Sequence, residues 1–190
     1  MKNLHLKNAI IGGNKAGGGI AVDNYGTISG CSVSGTSSVS VMEYGYAAGG
    51  IVSCNQSDGT VIGCYCSAEV STAEIGFLGG IVGKNAGTVT ACYSTSEFLQ
   101  SMNGGIACLN GETGTVTTCY WNSASATYGI CYDYTSGNSA TKVDGESDAW
   151  SAAAQAMNEA LPDGFGWHYV VNTDNATKEK EPLKLQKVTP

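Results

Sequence analysis

One motif occurs four times in this chain, in the form Gly-Gly-Ile-x3-Asn followed by Gly-Thr-(Ile/Val)-x2-Cys. The copies occupy residues 18–31, 49–64, 79–92 and 104–119. Their Gly-Gly pairs lie 31, 30 and 25 residues apart, and two copies carry extra residues between the Asn and the Gly-Thr. Such a period is typical of repeat proteins in which each unit buries its apolar face against the next.

Within one copy, short β-branched stretches alternate with Gly, Asn, Ser and Thr, and no helical period of 3.6 residues occurs. This pattern predicts about three short strands per repeat, joined by turns. We therefore expect an all-β fold, a right-handed parallel β-helix (β-solenoid) of about four to five coils. Residues 8–13 resemble a truncated coil before the first copy, and residues 129–131 resemble a decayed coil after the fourth.

The stacking of coils gives each recurring residue a predicted role. The isoleucines and the β-branched residues that follow Gly-Thr should form two inward-facing ladders, and the cysteines a third ladder of buried free thiols. The paired glycines should allow a corner with positive φ. The asparagines should occupy another corner, in left-handed backbone, and hydrogen-bond to their equivalents one coil away. These asparagines are Asn24, Asn55, Asn85 and Asn110.

The last part of the chain differs in character. Residues 147–161 are rich in alanine and end before Pro162, which predicts a helix. Residues 166–171 and 182–186 are predicted strands. We therefore divide the chain into a repeat domain, residues 1–143, and a small α+β capping segment, residues 144–190, which should cover the open end of the solenoid.

Composition narrows the classes of partner. The chain has 190 residues, a net charge of −7 and no arginine, and its lysines are scattered. We therefore expect no nucleic-acid partner and no docking on an anionic membrane. No apolar run reaches the length of a membrane-spanning helix, so we expect no membrane insertion. The N-terminus lacks the apolar region of a signal peptide, and we expect the chain to belong to a larger chain or assembly.

Residues 79–93, Gly-Gly-Ile-Val-Gly-Lys-Asn-Ala-Gly-Thr-Val-Thr-Ala-Cys-Tyr, resemble the GLUG motif, a repeat of bacterial surface proteins. Gly80-Ile81-Val82-Gly83 matches its core best, while the other copies replace the last Gly with Val22, Ser53 and Cys108. The resemblance covers residues 8–132, and the tail is similar to segments that follow such repeats in gut Bacteroidales proteins. It implies an extracellular or cell-surface protein of adhesin type, or an accessory region of a surface protease.

Two glutamates are candidates for chemistry or binding. Glu69 and Glu97 each lie five residues after a repeat cysteine, so they are predicted neighbours on adjacent coils. Such a carboxylate pair could perform acid/base work on a glycan. The alternative is two solvated charges on an exposed turn.

Aromatic residues give two further candidates. Tyr65, Tyr93 and Tyr120, the last followed by Trp121, recur after the cysteines and could form a sugar-stacking platform. The alternative is an aromatic ladder that only stabilises the sheet. Tyr44 and Tyr46 lie in the longest excursion between repeats, residues 32–48, where binding residues are often found.

These observations favour a non-catalytic structural or adhesin-like module that binds host or dietary glycans or host surface proteins. The recurring positions are turn-formers and core-formers rather than catalytic residues. The rival hypotheses are a glycan-active enzyme that uses Glu69 and Glu97, and a spacer without a ligand. We assign no catalytic residue, cofactor or metal, because Cys64-x-Cys66 lacks zinc spacing and His5 and His168 lie far apart.

Overall fold

The computed structural model describes residues 1–42, 46–100, 102–144 and 147–188. Its main body is a parallel β-solenoid of four complete coils and a partial fifth. Each complete coil contains five strands of two to four residues. The prediction of three strands per coil was therefore wrong, because the chain turns more often than the repeat pattern suggested.

The strands follow one another in the same order in every coil. The first coil contains β1 (His5–Lys7), β2 (Ile10–Gly13), β3 (Ala16–Gly18), β4 (Ala21–Asn24) and β5 (Thr27–Ser29). The second contains β6 (Ser32–Ser34), β7 (Ser38–Val41), β8 (Ala47–Gly49), β9 (Val52–Asn55) and β10 (Thr60–Ile62). The third contains β11 (Tyr65–Cys66), β12 (Glu69–Thr72), β13 (Phe77–Gly79), β14 (Val82–Asn85) and β15 (Thr88–Thr90). The fourth contains β16 (Tyr93–Ser94), β17 (Glu97–Phe98), β18 (Asn103–Gly104), β19 (Ala107–Asn110) and β20 (Thr115–Thr117).

Three strands follow the complete coils. The partial fifth coil contains β21 (Cys119–Trp121) and β22 (Ile130–Asp133), and β23 (Ala140–Lys142) pairs with β21 as a sixth strand of the first sheet. Equivalent strands pair in parallel and form five sheets. The first sheet has the order β1-β6-β11-β16-β21-β23, the second β2-β7-β12-β17, and the third β3-β8-β13-β18. The fourth has the order β4-β9-β14-β19-β22 and the fifth β5-β10-β15-β20. The predicted truncated coil and decayed coil thus correspond to β2 and β22.

The predicted ladders fill the interior. Ile51, Ile81 and Ile106 are fully buried, whereas Ile20 in the outermost coil is only partly buried. The second ladder and the cysteine ladder are buried along their whole length, and their members are Ile28, Val61, Val89, Val116, Cys31, Cys64, Cys92 and Cys119. Each coil therefore supplies the same few apolar side chains to a continuous core.

The asparagine ladder forms, but without left-handed backbone. The side-chain amide of Asn24 donates to Asn55 Oδ1 at 2.8 Å, and Asn55 donates to Asn85 Oδ1 at 2.8 Å. Asn85 in turn donates to Asn110 Oδ1 at 2.7 Å, and Asn110 donates to Asp133 Oδ1 at 3.0 Å. The ladder thus satisfies buried polar groups at one corner of every coil.

The Gly-Gly pairs are needed for a different reason than the one predicted. None of the eight paired glycines has positive φ. Instead, a Cβ on Gly49 would overlap the carbonyl oxygen of Val52, and a Cβ on Gly50 would overlap the carbonyl oxygen of Gly80. These glycines therefore allow backbones to approach closely, both within a coil and between coils.

The left-handed corner lies just before the cysteines. The residues with positive φ at this position are Asn3, Gly30, Gly63, Ala91 and Thr118. The backbone N–H of each of the first four residues donates a hydrogen bond to a carbonyl oxygen of the next coil. Gly30 donates to Ile62, for example, and Gly63 donates to Thr90. The corner is thus maintained in every coil, even where a residue with a Cβ must adopt it.

The C-terminal segment contains the helix and strands that were predicted: α1 (Ser147–Ala160), β24 (Trp167–Val171) and β25 (Leu183–Lys187), with the two strands antiparallel. Helix α1 buries Trp150, Ala153, Ala154 and Met157, whose spacing places them on one helical face. The segment packs on the flank of the solenoid, against the outer face of the first sheet, and not over its end. The predicted α+β segment is thus present, but it covers a side of the solenoid.

The end of the solenoid is closed by local structure. The backbone N–H of Val116 donates to Asn138 Oδ1 at 2.7 Å, and that of Thr118 donates to Ser139 Oγ at 3.0 Å. Ala126 and the partly buried Ile130 and Ala140 complete the core there. Residues 122–142 thus cover the last strands of the fourth coil.

Candidate functional site

The predicted tyrosine column exists, but it is a packing surface. Tyr65, Tyr93 and Tyr120 pair in register along the first sheet, and the rings of Tyr65 and Tyr93 stack with centroids 5.0 Å apart. Tyr65 is 8% exposed and Tyr93 is 0% exposed, while Tyr120 is partly buried. Tyr93 therefore has no ring face free for a sugar and Tyr65 only a small exposed part, so the two rings do not form the predicted sugar-stacking platform.

The C-terminal segment is what covers this column. The Tyr93 hydroxyl donates a hydrogen bond to the carbonyl of Leu183, and the rings of Trp150 and Tyr169 meet Tyr93 edge to face. The Tyr169 hydroxyl lies within hydrogen-bond distance of the carbonyls of Ala91, at 2.9 Å, and Cys64, at 3.1 Å. Burial, with the nearby Tyr65 and Glu181, raises the pKa of Tyr93 well above its usual range.

Trp121 is also unavailable as a ligand-binding residue. Its side chain is 3% exposed and belongs to the solenoid core. The indole Nε1 donates to the carbonyl of Ala140 at 3.3 Å. In the sequence Trp121 follows a tyrosine of the column, but alternate residues of a strand point to opposite faces, so it points inward.

Glu69 and Glu97 are neighbours, as their spacing predicted. They occupy one register position on β12 and β17, and Ser38 on β7 occupies the same position one coil earlier. Both glutamates are exposed. The Ser125 hydroxyl donates to Glu97 Oε2 at 2.8 Å. The structure thus brings two carboxylates onto adjacent coils at the outer face of the second sheet.

These glutamates line a groove of about 510 Å³ between the solenoid and the C-terminal segment. Hydroxyl and amide side chains from successive coils form its floor, including Thr36, Ser38, Ser67, Thr95, Asn122 and Ser123. Glu179 and Lys180 form the opposite wall. Three of these positions, Ser67, Thr95 and Asn122, are each the first residue after a strand of the first sheet. The groove therefore presents similar polar groups on three successive coils.

One polar group in the groove wall lacks a partner. Ser67 is buried, and its hydroxyl has no hydrogen-bond partner within the described residues. Buried hydroxyls are nearly always hydrogen-bonded, and the Ser67 hydroxyl is an exception beside the groove floor. The residue was not singled out in the sequence, because Ser is common throughout the chain.

A second exposed surface surrounds Lys84, and we call it the Lys84 patch. Its ammonium lies 3.0 Å from the ring centroid of Tyr46 and 4.3 Å from that of Phe77. Phe77 meets Tyr132 edge to face at 6.3 Å, and Tyr46 is 59% exposed. Of the residues predicted from the 32–48 excursion, Tyr46 thus lies in an aromatic cluster, and Tyr44 lies outside the described residues. Phe77 and Tyr132 were missed because they lie far apart in the sequence.

All eight cysteines are free thiols, as predicted for the repeat positions. Burial raises the pKa of Cys66 to about 11, which removes it from nucleophilic chemistry at neutral pH. Within the described part of the chain, no three His, Cys, Asp or Glu side chains come together as a metal site would require. The described residues also contain no helix with the length and apolarity needed to cross a membrane.

Comparison with protein-family models, with curated proteins and with solved structures gives no match to this chain. The resemblance to the GLUG motif stays a prediction.

Proposed function

We propose that this protein is a non-catalytic solenoid module that binds a hydroxyl-rich glycan along the groove of Glu69 and Glu97. The observation that carries the proposal is the repetition of carboxylate, hydroxyl and amide groups at equivalent positions on successive coils in one groove of about 510 Å³. This volume lies within the usual range of ligand-binding clefts.

The chemistry of the lining matches a sugar chain better than an apolar ligand. Carboxylates accept hydrogen bonds, while hydroxyls and amides both donate and accept, so together they complement sugar hydroxyl groups. A rigid scaffold that repeats these groups in register suits a polymer whose own groups repeat. Because three glutamates face the groove and Lys180 is its one basic lining residue, we expect neutral or amine-bearing glycans to bind better than anionic ones.

A glycan array and titration of its hits provide the test. The Glu69→Gln, Glu97→Gln double variant should weaken binding at least tenfold, since hydrogen bonds to charged groups contribute about 1.5–3 kcal/mol each. A Glu74→Gln, Glu112→Gln variant is the matched control, because it removes the same charge from exposed positions outside the groove. Absence of any array signal would support a spacer without a ligand and refute the proposal.

The Lys84 patch gives the experiment a second arm. Exposed aromatic faces beside a cation could also hold a sugar or a protein loop. If Tyr46→Ala abolishes the array signal while the groove variant retains it, the ligand lies on the patch, and the assignment to the groove is wrong.

Catalysis is the second candidate, favoured by one observation: Glu69 and Glu97 lie in register on adjacent coils. Two carboxylates flanking a glycosidic bond can act as an acid and a base or nucleophile. Incubation of the array hits with the protein distinguishes the candidates. Release of reducing ends that disappears in the Glu69→Gln, Glu97→Gln variant would establish an enzyme and refute the non-catalytic proposal.

We further propose that the protein works outside the cell or at its surface, where a glycan or a host protein would be met. This proposal rests on the resemblance of residues 79–93 to the repeat of bacterial surface proteins. Protease treatment of intact source cells should digest the protein, and full protection until lysis would contradict this location.

A further inference from the structure

A small pocket lies between the first coils of the solenoid and the C-terminal hairpin, apart from the groove described above. Its volume is about 290 Å³. The solenoid contributes His5, Lys7 and Tyr65, and the hairpin region contributes Trp167, Glu181 and Lys184. Since liquid water occupies about 30 Å³ per molecule, the pocket has room for about ten non-hydrogen atoms. It fits a small molecule and not a polymer.

Glu181 is the central feature of this pocket. Its side chain is 5% exposed, and its Oε1 accepts a hydrogen bond from the backbone N–H of Gly35 at 3.1 Å. Among the described residues, the two ion pairs are Lys142–Asp144 and Lys184–Asp174, so Glu181 has no cationic partner. Removing a carboxylate from water without a counter-charge is costly, and a bound cation would offset that cost.

The carboxylate of Glu181 and the phenol of Tyr65 line the same pocket. Burial raises the pKa of Tyr65, and the negative charge of Glu181 adds to the rise. Tyr65 is itself a wall of the pocket.

Aromatic rings stand beside this carboxylate. The rings of His5 and Trp167 lie 5.6 Å apart at an angle of 56°, and the side chain of Tyr65 also lines the pocket. His5 is held in place by Ser32, whose Oγ is 2.8 Å from Nδ1. A carboxylate next to aromatic faces is the combination that attracts an ammonium group.

Two lysines at the same pocket add the opposite preference. Lys7 is exposed, and Lys184 is partly exposed and lies 3.9 Å from Asp174. A purely cationic ligand would be repelled by these ammonium groups, while a purely anionic ligand would be repelled by Glu181. A ligand that carries both charges can place its positive group beside Glu181 and its negative group beside the two lysines.

We propose that this pocket binds a small zwitterion of the amino-acid class. The ligand's ammonium group lies against Glu181, its carboxylate against Lys7 and Lys184, and its side chain on Trp167. The pocket shares no residue with the groove of Glu69 and Glu97. Failure of the amino-acid proposal would therefore leave the glycan proposal untouched, and the reverse also holds.

Calorimetric titration with three matched probes tests this proposal. L-Leucine carries both charges, 3-methylbutylamine lacks the carboxylate, and 4-methylpentanoate lacks the ammonium. We expect leucine to bind at least tenfold more tightly than either analogue, since each loses a hydrogen bond to a charged group. Equal affinity of leucine and 4-methylpentanoate would overturn the proposal, as would the absence of binding by leucine and by a panel of the other amino acids.

Variants then assign the two ends of the ligand. Glu181→Gln retains an oxygen for the Gly35 N–H but removes the charge, and it should reduce leucine binding to the level of 4-methylpentanoate. Glu112→Gln is the matched control, because Glu112 is an exposed carboxylate that lines neither the pocket nor the groove, and it should leave leucine binding unchanged. Circular dichroism and melting curves show that each variant is folded. Undiminished binding by a folded Glu181→Gln variant would overturn the proposal.

Discussion

Replacement of Asn85 by alanine should lower the free energy of unfolding by about 3–5 kcal/mol. Asn85 is buried in the middle of the asparagine ladder. It accepts a hydrogen bond from Asn55 at 2.8 Å and donates to Asn110 at 2.7 Å. It also donates to the carbonyls of Gly87, at 3.1 Å, and Thr115, at 3.3 Å.

The magnitude follows from what truncation leaves behind. Loss of the two side-chain bonds along the ladder removes about 1 kcal/mol each. The amide of Asn55 keeps its bonds to the carbonyls of Gly59 and Thr88. Asn110 Oδ1, however, loses the donor that Asn85 supplied, and an unsatisfied buried acceptor adds about 1–3 kcal/mol.

Urea unfolding followed by circular dichroism measures this change. Gln56→Ala is the matched control, because Gln56 donates to Asp23 at 2.8 Å on the exposed surface next to the ladder. We expect this control to change stability by no more than about 0.5 kcal/mol. A loss of less than about 1 kcal/mol in Asn85→Ala would refute the view that the ladder supports the solenoid.

The Asn85→Asp variant removes the N–H donors of the Asn85 side chain without leaving a cavity. A carboxylate at this position still accepts from Asn55 but faces the oxygens of Asn110 and Gly87, which raises its pKa in the folded state. A raised folded-state pKa means that stability is retained at low pH and lost as the pH rises through that pKa. The variant should therefore approach wild-type stability on acidification. A stability deficit independent of pH would contradict this reasoning.

Three further changes, the first with a matched control, test other parts of the fold. Gly50→Ala should destabilise the protein by about 3 kcal/mol or more, because the new Cβ overlaps Gly80 and Cys66. Gly26→Ala is the control and should be tolerated, because its new Cβ would have no neighbour within 4 Å. Equal melting temperatures of the Gly50→Ala and Gly26→Ala variants would contradict the steric explanation. Thr118→Gly should stabilise the protein by up to about 1 kcal/mol, because Thr118 has a φ of 50°; a lower urea midpoint would count against backbone strain there. Tyr93→Phe should cost about 1 kcal/mol and speed amide hydrogen exchange in α1 and the hairpin, since it removes the bond to Leu183; unchanged exchange would show that this bond does not hold the segment.

Much of the solenoid was predictable from its repeat. Residues that recur at one place in each copy occupy one place in each coil, so the pairing of Asn55 with Asn85 and of Glu69 with Glu97 follows from alignment alone. Stacking in register makes sequence equivalence into spatial contact. The C-terminal helix was equally clear from its alanines and its terminating Pro162.

The reason for a recurring residue was harder to predict than its position. The paired glycines recur because a Cβ would collide with neighbouring backbone, whereas positive φ belongs to Gly63 and its equivalents. Both requirements select glycine, so the sequence cannot separate them. The sequence also did not show that Ala91 and Thr118 adopt the left-handed conformation, because residues with a Cβ rarely do so.

The exposure of the candidate site residues depended on segments distant in sequence. Tyr93 is covered by Leu183, 90 residues further along the chain, and that contact turns a predicted binding platform into a core. The pocket around Glu181 and the Lys84 patch likewise join residues from separate coils or from the hairpin. A repeat specifies how neighbouring coils meet, because identical units contact one another in one way. Where a non-repeating tail docks depends on the packing of its own side chains, and so the surface left for ligands is known only once the chain is folded.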